Sequence, residues 1–562
     1  MDRWVVEVWR LEQVRKLPKA PRIKQGRLRD LDGKLVGSER RSETLAEYLE
    51  KVQWTVKFAQ LVPPVTELHS EALPIDTAPF RSAELRKVIK HLKDKRACGL
   101  DCIPAEFWKA LLANDDATSH LLSLCNKCLC TGEIPQTWRT SSVVTIFKKG
   151  DTSQPSNYRP ISLLAVGYKV LASLILQRLR TAGAEARLAN SQFGFRPQRG
   201  TADALFVIRR IIDAAIDDQD ASLYIVLLDW SKAFDRVKHD ALLSALHRFG
   251  IRGAFHDLIA GIYQARTFSV FDAGVESSTH KQAAGIAQGC PLSPYLFVIL
   301  MTIAMTDAKM WSHVVEQKPY IVSADLVYAD DTMLLTSSPA SAQALLNNVS
   351  AAGQQYGLEL NLEKTVLLRV RGNADIFGSD GVALKAKSQA VYLGSLLTTS
   401  GEVAPELHRR IGEACACFQT LTAVWKHANL PKMKKYRIFK ACIVSKLLYG
   451  LESLWLLKAH LQKLEAFGAR CLRKIAGVPM AFISRVSNQT VLDMFGAEPL
   501  STILKQRQLK LFWKIAQQPN ESLTRKMTFE DSSNVPRDWK PKRRIGRPCQ
   551  RWVQSDTEMA GI

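Results

Sequence analysis

Tyr328-Ala329-Asp330-Asp331 stands between two short apolar runs, Leu326–Tyr328 and Thr332–Thr336. Runs of strand length joined by a turn form a tight hairpin, which projects two adjacent carboxylates from its tip. Neighbouring carboxylates repel, so stability alone explains the pair poorly and a divalent cation explains it well. A solvated Asp-Asp turn is the bland alternative, and a tetrapeptide by itself is a weak signal. A third carboxylate shifts the balance. Asp229 ends the apolar strand Leu223–Leu228, and the chain continues Trp230-Ser231-Lys232-Ala233-Phe234-Asp235. An Asp at the end of a buried strand, beside such a hairpin, makes an oxygen-rich site for Mg2+ of the kind used in two-metal phosphoryl transfer. Lysines or arginines nearby must then hold a triphosphate.

Charge points the same way. Lys plus Arg number 77 and Asp plus Glu 54, a net charge of +23 over 562 residues. An excess that large on an ordinary globular composition calls for a polyanion, and nucleic acid is the first candidate. Asp2, Arg3 and Glu7 follow Met1 too closely for a secretory signal, and acidic residues argue against a transit peptide. The longest apolar run, Tyr295–Met305, is about 11 residues, too short to span a bilayer and better read as a buried helix. The 11 cysteines are scattered as reduced thiols would be. Cys125, Cys128 and Cys130 lie in a helix-period segment with Leu121, Leu122, Leu124 and Leu129, and no second Cys/His pair follows at finger spacing, so a zinc clip is not expected. The expectation is a soluble intracellular protein, in nucleus or cytoplasm, with no membrane partner.

The chain divides by pattern into five parts. Residues 1–75 are charged and mixed, with an amphipathic patch from Leu45 to Phe58, and read as an N-terminal extension or connector. Residues 76–139 read as a helical segment, including Ala83–Leu92. Over 140–400, short apolar runs bounded by Gly, Pro and Asp alternate with helical patterns, the look of an α+β domain. Strands are expected at Val143–Phe147, Leu223–Leu228, Leu326–Tyr328 and Thr332–Thr336. Helical periodicity takes over across 401–480, and 481–562 is basic and contains Trp.

Three ordered blocks make the chain recognisable: Leu228–Asp235, Gly285-Ile286-Ala287-Gln288-Gly289-Cys290-Pro291-Leu292-Ser293-Pro294, and Tyr328–Asp331. They resemble motifs of reverse transcriptases, and more narrowly the polymerase of non-LTR (LINE-like) retrotransposons. Four further blocks agree, in the family's order. These are Phe147–Asp151 through Asn157–Leu163, Gln192–Arg196, Gly357–Asn361 with Lys364-Thr365, and Tyr392-Leu393-Gly394. Weaker likeness extends outward to Asp30–Trp54, Gly99–Phe107, Leu447–Trp455 and Arg547-Pro548 with Arg551-Trp552.

The resemblance implies a right-hand polymerase: fingers, a ferredoxin-like palm with an antiparallel sheet, a helical thumb, and helical N- and C-terminal extensions. It implies RNA-directed DNA synthesis, with template RNA, primer DNA and dNTPs as partners. Asp229, Asp330 and Asp331 would bind two Mg2+ ions, with Mn2+ a possible substitute. Phe234 matches the steric gate against a ribose 2′-hydroxyl, its bland reading being a core Phe. Gln288 and Gly289 match the loop against the templating pair. Lys148 and Arg159 match the triphosphate clamp, against the alternative of a solvated basic turn. Lys364 matches a lysine that protonates leaving pyrophosphate, with an ordinary surface lysine nearly as good a reading. Tyr328 counts with the substrate-binding residues. Lys432-Met433-Lys434-Lys435-Tyr436-Arg437 would give a thumb helix a phosphate track, or simply a solvated face. Lys540-Pro541-Lys542-Arg543-Arg544 would bind RNA or act as a nuclear address.

Two departures from the family stand out. Cys290 occupies a loop position where small residues such as Ser are common. About 140 residues precede the fingers, fewer than an apurinic-type endonuclease with its linker needs, and there is neither a Cys/His knuckle nor room for a restriction-like nuclease. The expectation is a polymerase portion without the endonuclease, with a nuclease in trans as a candidate partner. The rival reading is a decayed or domesticated copy that only binds nucleic acid. A group II intron maturase fits the thumb segment less well, and Phe234 argues against an RNA-dependent RNA polymerase.

Overall fold

The computed structural model describes residues 26–272, 274–312, 318–537 and Trp552. Lys540–Arg544, Arg547, Pro548 and Arg551 lie outside the described residues. In chain order the strands are β1 (Thr140–Phe147), β2 (Tyr158–Leu163), β3 (Leu223–Leu228), β4 (Thr267–Asp272), β5 (Val275–Glu276) and β6 (His280–Lys281). They continue with β7 (Asp325–Tyr328), β8 (Asp331–Thr336), β9 (Val366–Val370), β10 (Lys385–Lys387), β11 (Gln389–Tyr392) and β12 (Ser395–Thr398).

The central sheet has the order β10-β9-β3-β8-β7. β3 pairs antiparallel with β8 and β9, and β7 with β8, while the short edge strand β10 runs parallel to β9. Period-two alternation explains why the sheet is buried on both sides. Tyr224, Val226 and Leu228 face one core with Val327, Leu334 and Leu367. Leu223 and Ile225 face a second core with Leu326, Met333, Leu335, Leu368 and Val370. Helices Val166–Thr181, His239–Phe249, Ser293–Met310 and Pro339–Gln355 close the first core. Helix Thr201–Asp217, the end of helix Leu500–Ala516 and the ring of Trp552 close the second. The apolar run Tyr295–Met305 is therefore a palm helix with no solvent face. No helix among the described residues is long and apolar enough to cross a membrane.

A second sheet, β2-β1-β4-β5 with β6 on β4, mixes an antiparallel β1–β2 pair with a parallel β1–β4 pair. The N-terminal helix Arg41–Tyr48 packs on it: Leu45, Ala46, Leu49 and Trp54 share a core with Val143, Tyr158, Phe268 and Val270. Cys125 and Cys128 are buried with Leu121 and Leu129 in helix Asp115–Thr131, as apolar packing residues. The β11–β12 hairpin leads into helices from Ala404 onward, whose own core runs from Leu407 to Leu504. Buried Arg209 joins this body to the palm, donating to the Gly450 carbonyl at 2.6 Å and to Ser395 Oγ at 2.7 Å.

Candidate active site

The floor of the site is built where strands end. β3 and β8 pair up to Leu228↔Thr332, so the next step places Asp229 opposite Asp331. β7 and β8 close at Tyr328↔Asp331, leaving Ala329-Asp330 as a two-residue turn. Ala329 has φ +60°, the first-position conformation of the tight turns that suit strand twist and that normally call for Gly. It is held there from outside the hairpin. The side chain of Gln192 accepts from the backbone N–H of Ala329 at 3.0 Å and of Gly194 at 2.8 Å. The chain at Gly194 passes so close that a Cβ there would lie 2.4 Å from Ala329 N.

The three carboxylates act on one another. Burial and then the Asp229 charge raise Asp330 above the usual carboxylate range, while Arg159 and Lys148 oppose the shift. Asp331 has an open surface, yet the protein packed behind it, then the charges of Asp330 and Asp229, push it up to about 6. Lys364 Nζ lies 3.4 Å from Asp229 Oδ2, both groups being substantially exposed. Among the described residues no His, Cys, Asp and Glu side chains close into a ready-made metal cluster. The donor set is nevertheless all hard oxygen, which is the chemistry a Mg2+-type ion takes.

An open cleft of about 770 Å³ rises from this floor. Asp229, Asp330 and Lys364 line it, together with Lys148, Arg159, Phe234, Gln288 and Gly289. Thus eight of the ten residues singled out from sequence meet in one cleft, drawn from both sheets and the loops between them. Asp331 is not among the lining residues, although the strand register sets it opposite Asp229. Tyr328 does not line the cleft. It shares the face of Leu326, two residues earlier, and packs against the second core, as strand alternation requires.

Burial, followed by the charge of Arg159, lowers the Lys148 ammonium below its ordinary value, against the pull of Asp235 and Asp229. Phe234 is half-buried, its ring stacked on Phe297 at 4.3 Å and met edge-on by Phe195 at 6.3 Å. The Gln288-Gly289 loop is pinned on both sides. Ile286 N–H donates to the Phe234 carbonyl at 2.8 Å, and Ser162 N–H to the Gln288 carbonyl at 2.9 Å. At Gly289, with φ +132°, a Cβ would lie 2.5 Å from the Ser162 carbonyl oxygen, so a side chain would drive the loop off β2.

Several site residues have no counterpart in the sequence reading of roles. Gln192 and Phe195 fall in a block that the resemblance marks without assigning work. Asp235 is buried and accepts from Trp54 Nε1 at 3.1 Å, Gln53 Nε2 at 3.0 Å and Gln288 Nε2 at 3.1 Å. Lys232, at φ +52°, donates to Tyr48 OH at 2.7 Å and Gln53 Oε1 at 2.6 Å, and burial lowers it to about 8.

Comparison with known proteins agrees with this geometry. Residues 146–397 match the family described as reverse transcriptase (RNA-dependent DNA polymerase). The RNA-directed DNA polymerase from mobile element jockey of Drosophila melanogaster is 28% identical over 483 residues, 83% of this chain and 50% of that protein. Its namesake from Drosophila funebris is 29% identical over 469 residues, 79% of this chain and 49% of that protein. A Pol polyprotein from the type-1 retrotransposable element R2 of Popillia japonica is 28% identical over 346 residues, 58% of this chain and 46% of that protein. The chain spans about half the length of the curated relatives it matches. Residues 146–397 are thus a reverse transcriptase domain, and over most of its length the chain is similar to RNA-directed DNA polymerases of mobile elements.

Proposed function

We propose that this chain adds dNMP to a DNA 3′-hydroxyl on an RNA template and releases pyrophosphate. The observation that carries this reading is the juxtaposition of Asp229, Asp330 and Asp331 at adjoining strand ends, the first two lining a cleft whose walls bear Lys148 and Arg159. Asp229, Asp330 and Asp331 would hold two Mg2+ ions, with Mn2+ as substitute. Bound there, the metal supplies acidity at the attacking hydroxyl and neutralises charge on the leaving group. Lys148 and Arg159 hold the triphosphate, Arg159 through its two-pronged guanidinium. Lys364, beside Asp229, stands where it can pass a proton to departing pyrophosphate. Phe234, backed by Phe297, is too well braced to yield to a ribose 2′-hydroxyl, and Gln288-Gly289 run along the templating pair. Partners on this reading are template RNA, primer DNA and dNTPs, with a nuclease in trans as a source of the primer end.

The test is extension of a DNA primer on an RNA template with Mg2+ and dNTPs. Wild-type protein extends the primer, and Asp330→Asn binds the same duplex without extending it. Full activity in Asp330→Asn overturns the carboxylate assignment. Binding without synthesis by wild type favours a protein that only grips nucleic acid.

A further inference from the structure

The Asp235 carboxylate is buried in the lining of the cleft, and three neutral groups point N–H bonds at it: Gln53 Nε2, Trp54 Nε1 and Gln288 Nε2. All three are donors, which suits a carboxylate, a group that only accepts. That fixes the amide of Gln288. Its nitrogen reaches both oxygens of Asp235, at 3.2 and 3.1 Å, so the carbonyl oxygen is the end left for the cleft. Gln53 is oriented in turn, because its own carbonyl accepts from Lys232 Nζ at 2.6 Å. Trp54 is locked by its ring, edge-on to Phe268 at 4.6 Å in the core of the second sheet.

We infer that Asp235 is a positioning residue through which the N-terminal Gln53-Trp54 pair sets which end of the Gln288 amide faces the incoming nucleotide. The inference rests on the polymerase reading. It makes the segment before the reverse transcriptase domain part of the nucleotide site, although neither Gln53 nor Trp54 lines the cleft. A side chain held in one orientation costs less ordering when the nucleotide arrives, so the effect falls on nucleotide binding more than on the chemical step.

The test reverses the polarity of one hydrogen bond. In Asp235→Asn an N–H2 replaces an oxygen opposite the Gln288 amide, which then turns over. In Gln288→Glu two carboxylates face each other. When both substitutions are combined, the carboxylate introduced at position 288 accepts from the amide introduced at position 235, and an oxygen again faces the cleft. Single-nucleotide extension and thermal melting are measured for wild type, the two single variants and the double variant. They are measured also for Trp54→Phe, which keeps the ring packing and removes one donor. Asp235→Asn is expected to raise KM for dNTP roughly tenfold with kcat changed less than about twofold, the scale of one hydrogen bond. Gln288→Glu is worse in both KM and melting temperature, and the double variant recovers most of the KM lost by Asp235→Asn. Trp54→Phe raises KM by a smaller factor in the same direction. An unchanged KM in Asp235→Asn, or a double variant no better than it, overturns the inference. If melting recovers in the double variant while wild type extends no primer, the polymerase reading has failed. The network is then structural support alone, and the positioning role is refuted with it.

Discussion

The floor of the cleft and the interior of the palm both contain carboxylates, and the fold treats them in opposite ways. Behind the sheet, Asp307 on helix Ser293–Met310 accepts from Arg248 Nη1 at 2.8 Å and Nη2 at 2.5 Å, and from Tyr356 OH at 2.8 Å. Both ionic side chains are 2% exposed, and both oxygens of the carboxylate are answered. At the floor, Asp229 has Lys364 at 3.4 Å, and among the described residues no ion pair reaches Asp330 or Asp331. A chain able to saturate Asp307 had the means to saturate the floor. On the proposed reading, a divalent cation would supply the compensation that Asp330 and Asp331 lack as ion pairs.

Mutating each carboxylate separates the two regimes. Asp229→Asn should cut primer extension by at least about a hundredfold, the scale on which one stabilising group at a reacting centre is lost. Its melting temperature should not fall, because the change relieves repulsion instead of breaking a saturated partner. Gel-shift binding to a primer–template duplex should persist. Asp307→Asn should do the reverse. Leaving Arg248 buried without its partner costs about 3–5 kcal/mol of stability, read by chemical denaturation, while the specific activity of the folded fraction holds. Equal destabilisation in the two variants would remove the distinction.

Phe234→Ala sharpens the comparison at a residue that belongs to both regimes, since its ring is at once packed on Phe297 and open to the cleft. Discrimination between dNTP and rNTP should fall by about 10–200-fold, the range in which a pocket senses one small group. A loss of stability with unchanged sugar selection would make Phe234 an ordinary core residue.

What could be read from the sequence follows the same division. β3 spans Leu223–Leu228 as the apolar run predicts, and the β7–β8 hairpin falls where Tyr328-Ala329-Asp330-Asp331 interrupts two such runs. These are local signals: alternation, and charge placed where alternation stops. Asp235 is legible only as the last residue of a recognisable block. Its partners Gln53 and Trp54 are 182 and 181 residues away, and nothing in a local pattern distinguishes a buried carboxylate ringed by donors from a solvated one. Over Leu45 to Phe58 the sequence shows an amphipathic patch and no more. In the structure the α-helix ends at Tyr48 and continues as a wider turn over Leu49–Gln53. That change of pitch presents Gln53 and Trp54 to Asp235, and it is set by tertiary contact, which propensity does not encode. Tyr328 shows the converse, a residue whose place in a motif points to substrate while its ring packs against the second core.

A third arrangement of carboxylates supplies the smallest predicted effect and joins the two regimes, because its partner titrates. His280 on β6 bridges two glutamates of the N-terminal segment, Nδ1 to Glu50 Oε2 at 2.7 Å and Nε2 to Glu43 Oε1 at 2.9 Å. Burial opposes protonation, but the hydrogen bonds to Glu50 and Glu43 outweigh it and hold the imidazolium above its ordinary value near 6.5. Glu43 is held below its ordinary value near 4.5 by Ser278 and His280 in spite of its burial, and Glu50 by His280 first. The signs then fix a window. The His280 contribution is complete below about 6.5 and is lost as pH rises through the raised folded value. The glutamate contribution is complete above about 4.5 and is lost as pH falls through the depressed folded values. Stability from the cluster therefore peaks between those limits. The glutamates are about a third exposed, so the whole effect should stay under about 1 kcal/mol. Chemical denaturation of wild type and His280→Gln from about pH 5.5 to 8.5, a range that brackets the ordinary imidazole value, should give curves that converge as pH rises. Parallel curves would mean that the bridge carries no charge, and that the N-terminal helix is held on the second sheet by its apolar face alone.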